Sequence, residues 1–369
     1  MKKQFLSLAI FLLAVFAGIN ESNAQGVKWS TPQTLSCTSD ALHPFAGVQY
    51  TYKAEVSDLT GTGEWRFWAT NDSSFVVNNA GEPEFNTATA LIVGSNELLT
   101  ASANYNIEVG VGNSNVNTEG TIQLTWTSGM LNSVIAGTEE KLFVVAYYVS
   151  GSECTDNMKI WELDPQNAFT VDIIAMDVAT PESSIDKYNV TPTTCVDVVE
   201  SIKYESGKGI VYDYGDNYLY FEFVAANFTD YWIPEFTVTG ENSAQTLTYQ
   251  YTYDTPDTWG SSTNWTTLES GKTHITPATS VKDATDKGVS VFVRVLVDHA
   301  NYENKNGQTF TMTLDGKLAD GTYDVVNADC SDPGAADKAD TADSKIDPRP
   351  TVTDTSMPAP KFTTGNETN

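Results

Sequence analysis

Apolar and polar residues alternate along most of this chain with a period of two. In Thr121-Ile122-Gln123-Leu124-Thr125-Trp126 every second side chain is apolar, the pattern of a strand with one face on a core and one in water. The same alternation predicts strands at Tyr50–Val56, Glu64–Ala69, Thr87–Val93, Asn157–Leu163 and Phe169–Ala175. Lys141–Val149 is apolar almost throughout, rich in β-branched and aromatic residues, which suits a central strand. Turn signals such as Thr60-Gly61-Thr62-Gly63 and Ser150-Gly151-Ser152 separate these runs and predict an antiparallel sandwich over 25–180.

After a linker at 181–186 a second set begins, with strands expected at Val196–Lys203, Tyr218–Ala225, Glu235–Thr239, Thr246–Tyr253, Val289–Val297 and Gln308–Leu314. Gly240-Glu241-Asn242-Ser243 reads as one turn and Asp315-Gly316 as another. The second sandwich is expected over 187–330, with a closing strand at Tyr323–Val326. Residues 331–369 hold five prolines, six aspartates and a single aromatic, Phe362, and are expected to be a disordered acidic tail. The fold class is therefore all-β, two tandem antiparallel β-sandwiches.

At the other end, Lys2-Lys3, the apolar run Phe5–Gly18 and Ser22-Asn23-Ala24 form a tripartite leader, so 1–24 reads as a signal peptide. Its apolar run is shorter than a membrane span requires. The expected location is periplasmic, outer-surface or extracellular, without membrane insertion. Composition adds a partner constraint: 48 acidic against 20 basic residues give a net charge of −28, which excludes nucleic acid as an electrostatic partner.

Four widely spaced cysteines, Cys37, Cys154, Cys195 and Cys330, favour two disulfides in an exported chain. Three connectivities exist. Cys37–Cys154 with Cys195–Cys330 is favoured because each bond would close one sandwich; a Cys154–Cys195 bond clamping the sandwiches together is the alternative.

The run Gly120–Trp126, then Lys141–Val149, Cys154 and Asn157–Leu163 resembles the PKD-like and immunoglobulin-like domains of exported bacterial surface proteins. Leu42-His43-Pro44-Phe45-Ala46-Gly47 followed by Tyr50–Val56 is similar to proteins of gram-negative gliding bacteria that use type IX secretion. The resemblance implies an extracellular interaction or structural module and transfers no catalytic residue. The stretch Leu131–Glu140 departs from it as an insertion.

Candidate chemistry is sparse. The three histidines, His43, His274 and His299, accompany no nucleophile elbow, Walker loop or metalloprotease motif. Asp213, Asp216, Asp324 and Asp329 offer loop oxygens of the type Ca²⁺ takes, although no D-x-D-x-D-G loop occurs; no other cofactor is expected. Twelve of the seventeen tyrosines fall in the second sandwich. In Thr246–Tyr253, Tyr249, Tyr251 and Tyr253 share a face with Leu247 and should point inward. In Tyr218–Ala225 the parity puts Leu219, Phe221 and Phe223 inside and Tyr218, Tyr220 and Glu222 outside. Tyr218, Tyr220, Trp232, Trp259 and Trp265 are therefore a candidate aromatic platform for sugar rings or a protein. The leading expectation is a non-enzymatic surface protein, associated with secretion or gliding, that binds other envelope or secreted proteins. A carbohydrate-binding protein is the second, and a carboxylate-dependent glycosidase the third.

Overall fold

The computed structural model describes residues 33–57, 63–85, 98–101, 120–137, 141–150, 157–177, 192–196, 198–260, 262–276, 288–325, 329–330 and 340–352. The leader, the strand expected at Thr87–Val93 and Cys154 lie outside these residues, as do the linker and most of the tail. Among the described residues no helix is long and apolar enough to cross a membrane.

The first sandwich comprises β1 (Gln49–Lys53), β2 (Gly63–Thr70), β3 (Val76–Asn79), β4 (Glu82–Phe85), β5 (Leu98–Ala101), β6 (Thr121–Trp126), β7 (Leu142–Ser150) and β8 (Asn157–Leu163). One sheet has the order β1-β6-β5 and the facing one β2-β7-β8. Tyr52, Ile122, Leu124 and Trp126 meet Trp65, Phe67, Val144 and Ala146 in the core between them. The other face of β2 and β7 is apolar too: Trp68, Val145 and Tyr147 are covered by Phe75 and Phe85, which flank and end the β3–β4 hairpin. That second cover explains why β7 is apolar at nearly every position.

The expected insertion at Leu131–Glu140 contains a short helix, α1 (Ser128–Ile135), instead of a loop alone. Thr127 caps it by accepting from the Met130 N–H (3.2 Å), and Met130 and Leu131 close the end of the core. Two-turn helices give little periodic signal, which is why alternation did not reveal it.

The second sandwich contains β9 (Thr170–Met176), β10 (Thr193–Thr194), β13 (Asp216–Ala226), β14 (Trp232–Thr239), β15 (Thr246–Thr252), β16 (Thr266–Thr267), β17 (Val289–Asp298), β18 (Gln308–Leu318) and β19 (Asp340–Ile346). Its sheets run β16-β15-β17-β13-β9 and β10-β19-β18-β14. β13 is an interior strand, antiparallel to β17 on one side and to β9 on the other. Leu219, Phe221, Phe223 and Ala225 point inward against Phe236, Phe310, Met312 and Leu314, and Tyr249, Tyr251 and Tyr253 pack on the same core. A separate hairpin, β11 (Ser201–Glu205) with β12 (Gly209–Asp213), joins neither sheet.

Three expectations are corrected here. The strand at Thr170–Met176, assigned to the first sandwich, pairs with β13 of the second. The acidic tail is not wholly disordered: β19 lies against β18, with Ala342, Ser344 and Ile346 turned toward the core. Asp315-Gly316 is no turn either. β18 runs through it to Leu318, and glycine is needed because a Cβ on Gly316 would meet the Val171 side chain at 2.2 Å. Gly240, by contrast, does turn the chain, with φ of 105° and no room for a Cβ against Thr309 O.

The disulfide joins Cys37 to Cys330 and overturns the expected Cys37–Cys154 and Cys195–Cys330 bonds; Cys195 is free and exposed. The cause is the segment between β8 and β9. Asp164 N–H donates to Leu42 O, Val325 N–H to Phe169 O and Asn167 Nδ2 to Tyr323 O. This one segment thus holds the chain entering the first sandwich beside the stretch that follows β18 in the second. Ser128 adds a buried junction, its N–H and hydroxyl both on Thr229 Oγ1 (2.9 and 2.8 Å), and Asn132 Nδ2 donates to Asp320 (3.0 Å).

Non-reducing peptide mapping should yield a Cys37–Cys330 crosslinked peptide; a Cys195–Cys330 peptide would refute this topology. Cys37→Ser should cost about 2–5 kcal/mol in denaturant unfolding, the usual effect of removing a native disulfide.

Candidate functional site

The outward face of the five-stranded sheet carries the densest group of partly exposed aromatic rings. Tyr218 and Tyr220 project from β13 on the side opposite Leu219 and Phe221. Arg294 of β17 stands directly across from Tyr220, and Gln250 of β15 directly across from Arg294. The loop between β15 and β16 brings in Trp259 and Trp265. Trp259 follows a single 3₁₀ turn, Pro256–Thr258, and its indole N–H donates to Asp254 O (2.7 Å).

The rings form a continuous cluster. Tyr218 stacks on Tyr220 with centroids 6.2 Å apart, and Tyr220 lies 5.2 Å from Trp259 and 6.4 Å from Trp265. Trp259 and Trp265 meet edge to face at 5.1 Å, and Trp259 also covers Phe292. The Arg294 guanidinium carbon lies 4.9 Å from the Tyr218 centroid and 4.2 Å from that of Trp265. Its Nε donates to Gln250 Oε1 (2.8 Å), which fixes the plane of the group. Burial raises the Tyr220 hydroxyl above its ordinary pKa, although the Arg294 charge works against that rise.

Four of the five platform candidates therefore come together: Tyr218, Tyr220, Trp259 and Trp265. Trp232 does not. It is 0% exposed on β14, packed against Phe223 inside the second sandwich. Strand parity could have found this, because Trp232 and Phe236 are four residues apart and share a face once β14 is extended back to Trp232. Glu222, expected outside, does lie on the outward face but is fully buried there, accepting from the Ser290 hydroxyl. Arg294 and Gln250 carry no sequence signal of their own; only the pairing of β13, β17 and β15 assembles them.

The four candidate calcium aspartates are dispersed. Asp213 accepts from Gly215 N–H within its own turn (3.2 Å), and Asp216 sits at the start of β13. Asp324 accepts from Gly316 N–H (2.9 Å) toward the far end of β18, eight residues from Gln308, which is about 26 Å of strand. Asp329 is exposed beside Cys330. Among the described residues no three His, Cys, Asp or Glu side chains are placed to hold a metal ion together.

The histidines are tied up elsewhere. His43 Nδ1 bonds Asp40 (2.9 Å), and His274 stacks on Tyr231 at 4.1 Å. His299 is buried between Gln245 (2.8 Å) and Asn217 (2.9 Å), where burial lowers its pKa and keeps it neutral.

One carboxylate pair stands out electrostatically. Asp324 is pushed up to about 8 by burial, with a hydrogen bond to Asp315 and that group's charge adding to the effect. Asp340, exposed at the start of β19, is raised to about 6 by partial desolvation of its carboxyl and by the charges of Asp172 and Asp315.

No protein family and no curated protein matches this sequence. Among solved structures, the chain is similar to CfaE, the adhesive subunit of the CFA/I fimbria of enterotoxigenic Escherichia coli. The match has 8% identity, covers 87% of this chain and 90% of that one, and has a TM-score of 0.27. The N-terminal domain of PorA matches over 47% of this chain and 96% of its own, at 10% identity and a TM-score of 0.19. The collagen adhesin of S. aureus matches over 80% and 86%, at 7% identity and a TM-score of 0.19. With scores this far below 0.5, the fold rests on the strand pairing described above.

Two predictions follow from the geometry. Trp232→Ala should destabilise by about 3–5 kcal/mol in denaturant unfolding, as loss of a buried indole does, whereas Tyr218→Ala should change stability by less than about 1 kcal/mol. Asp324, with a folded pKa above its ordinary 3.8, binds its proton more tightly in the fold than in the unfolded chain. Its contribution is therefore full below pH 4 and lost as pH rises toward 8. His299 acts in the opposite sense, losing its contribution as pH falls through 6.5, so the test is the difference between variant and native protein. Asp324→Asn should raise stability at pH 8 relative to pH 4; a pH-independent difference would contradict the assignment.

Proposed function

We propose that this chain is a non-enzymatic, exported protein of the cell envelope that acts by contact, binding other envelope or secreted proteins through the surface of its β-domains. The observation that carries this reading is the β11–β12 hairpin. A two-stranded hairpin is marginal alone in water and ordinarily packs its apolar face on something. Here Ile202 pairs with Tyr212 and Tyr204 with Ile210, so all four share one face, and that face is open: Ile202 is 60% exposed, Tyr204 77% and Ile210 61%. Val198, just before β11, is exposed beside them in sequence. Contiguous exposed apolar surface of this kind marks interaction sites. A disulfide between the two sandwiches fits an oxidising compartment, and with it export and a secretion- or gliding-associated role.

A second reading, carbohydrate binding, is supported by the Tyr218–Tyr220–Trp259–Trp265 cluster, whose rings combine apolar faces with polar edges. Calcium bound through the Asp213 and Asp216 loop would be an accessory to either reading.

The first reading is tested with a photo-crosslinking amino acid at Ile202 in intact cells, compared with Tyr204→Ser. A crosslinked envelope protein whose yield falls at least fivefold in Tyr204→Ser, with unfolding midpoints unchanged, supports it. A hairpin that crosslinks to nothing would contradict it.

A further inference from the structure

The aromatic cluster is centred on a cation, Arg294. Arg294 makes one hydrogen bond, from Nε to Gln250, and two ring contacts, and among the described residues it forms no ion pair. Glu222 of the same face is engaged by Ser290. In a chain with 48 acidic and 20 basic residues, an arginine at the centre of a sheet face that forms no ion pair among the described residues is a departure from the surrounding electrostatics. Tyr218 and Trp265 hold the guanidinium, and Gln250 fixes its rotation. The terminal nitrogens therefore form a pre-ordered fork, the geometry that accepts a carboxylate through two parallel N–H···O bonds. Around that fork lie the partly exposed rings of Tyr218, Tyr220, Trp259 and Trp265, which suit the apolar face of a sugar ring.

The geometry points to a site for a carboxylated sugar: Arg294 takes the carboxylate of a uronate- or sialate-type residue while the neighbouring rings stack on its pyranose. This rests on the carbohydrate reading above and sharpens it. The protein's own charge selects further. A net charge of −28 repels densely charged polyanions, whereas a single carboxylate within an otherwise neutral glycan meets chiefly the local field of Arg294 and of Glu222, buried beneath the same face on Ser290, since charges farther off are screened within about 8 Å at physiological salt. The ligand class is therefore a glycan of low charge density bearing an acidic residue, not a sulfated or polyuronic chain.

The test is a calorimetric and tryptophan-fluorescence titration of the full chain with uronate- and sialate-terminated oligosaccharides, each paired with its carboxyl-reduced, neutral counterpart. The acidic sugar should bind and perturb Trp259 and Trp265 emission, and carboxyl reduction should weaken binding at least tenfold. Arg294→Gln should abolish that preference; Arg294→Lys, which keeps the charge and loses the fork, should also lose most of it. Equal binding of acidic and reduced sugars, or a preference that survives Arg294→Gln, overturns the carboxylate assignment and leaves the carbohydrate reading standing. Binding of neither form overturns both. The comparison of the two sugars on the native chain needs no variant, so a misfolded Arg294 substitution cannot mask the result.

Discussion

Strand β13 imposes the constraint on which the second sandwich and its surface both depend. It is paired on both edges, so its two faces are fixed relative to two neighbours at once. Leu219, Phe221, Phe223 and Ala225 have no exposed surface to speak of, while Tyr218 and Tyr220 stand on the opposite face. Because side chains alternate with a period of two, a slip of one residue would drive the tyrosines into the core and turn the phenylalanines onto the outward face. Burial of Phe221 and Phe223, each worth about 1.5–3 kcal/mol, therefore fixes the register, and the register in turn places Tyr220 opposite Arg294. The surface cluster is a consequence of core packing on the other side of the same strand.

How much of this was legible in the sequence follows from what alternation can report. Strand positions and parity in β6, β13 and β15 were readable, because large inward residues alternate with polar ones. β19 was not: its inward residues are Ala342, Ser344 and Ile346, too small to register as a hydrophobic pattern in an acidic segment. The sheet that β9 joins was equally hidden, since strand pairing over long sequence distances leaves no mark on local composition. The disulfide partner depended on that missing step. Once Phe169 bonds Val325 and Asp164 bonds Leu42, the entry to the first sandwich lies beside the stretch that follows β18 in the second, and Cys37 meets Cys330. Of the candidate site, the aromatic residues were visible by parity, and the arginine that organises them was not.

The junction between the sandwiches bears on how the protein would act. The crosslink, the Ser128–Thr229 pair and the Asp164–Phe169 segment hold the first sandwich against the second at three places. A contact protein loses little entropy on binding when its surfaces are already held in place. The β11–β12 hairpin and the Arg294 cluster are both built on the second sandwich but are distinct surfaces, one apolar and open, the other aromatic with a fixed cation.

The two-faced character of β13 is tested most directly by hydroxyl-radical footprinting of the native protein, read residue by residue by mass spectrometry. Tyr218, 38% exposed, should be modified readily, Tyr220, Trp259 and Trp265 at intermediate rates, and Phe221, Phe223 and Trp232 hardly at all until the protein is unfolded. Modification of Phe223 or Trp232 at the rate of Tyr218 would mean that the register is different, and the core and the surface cluster would fall together.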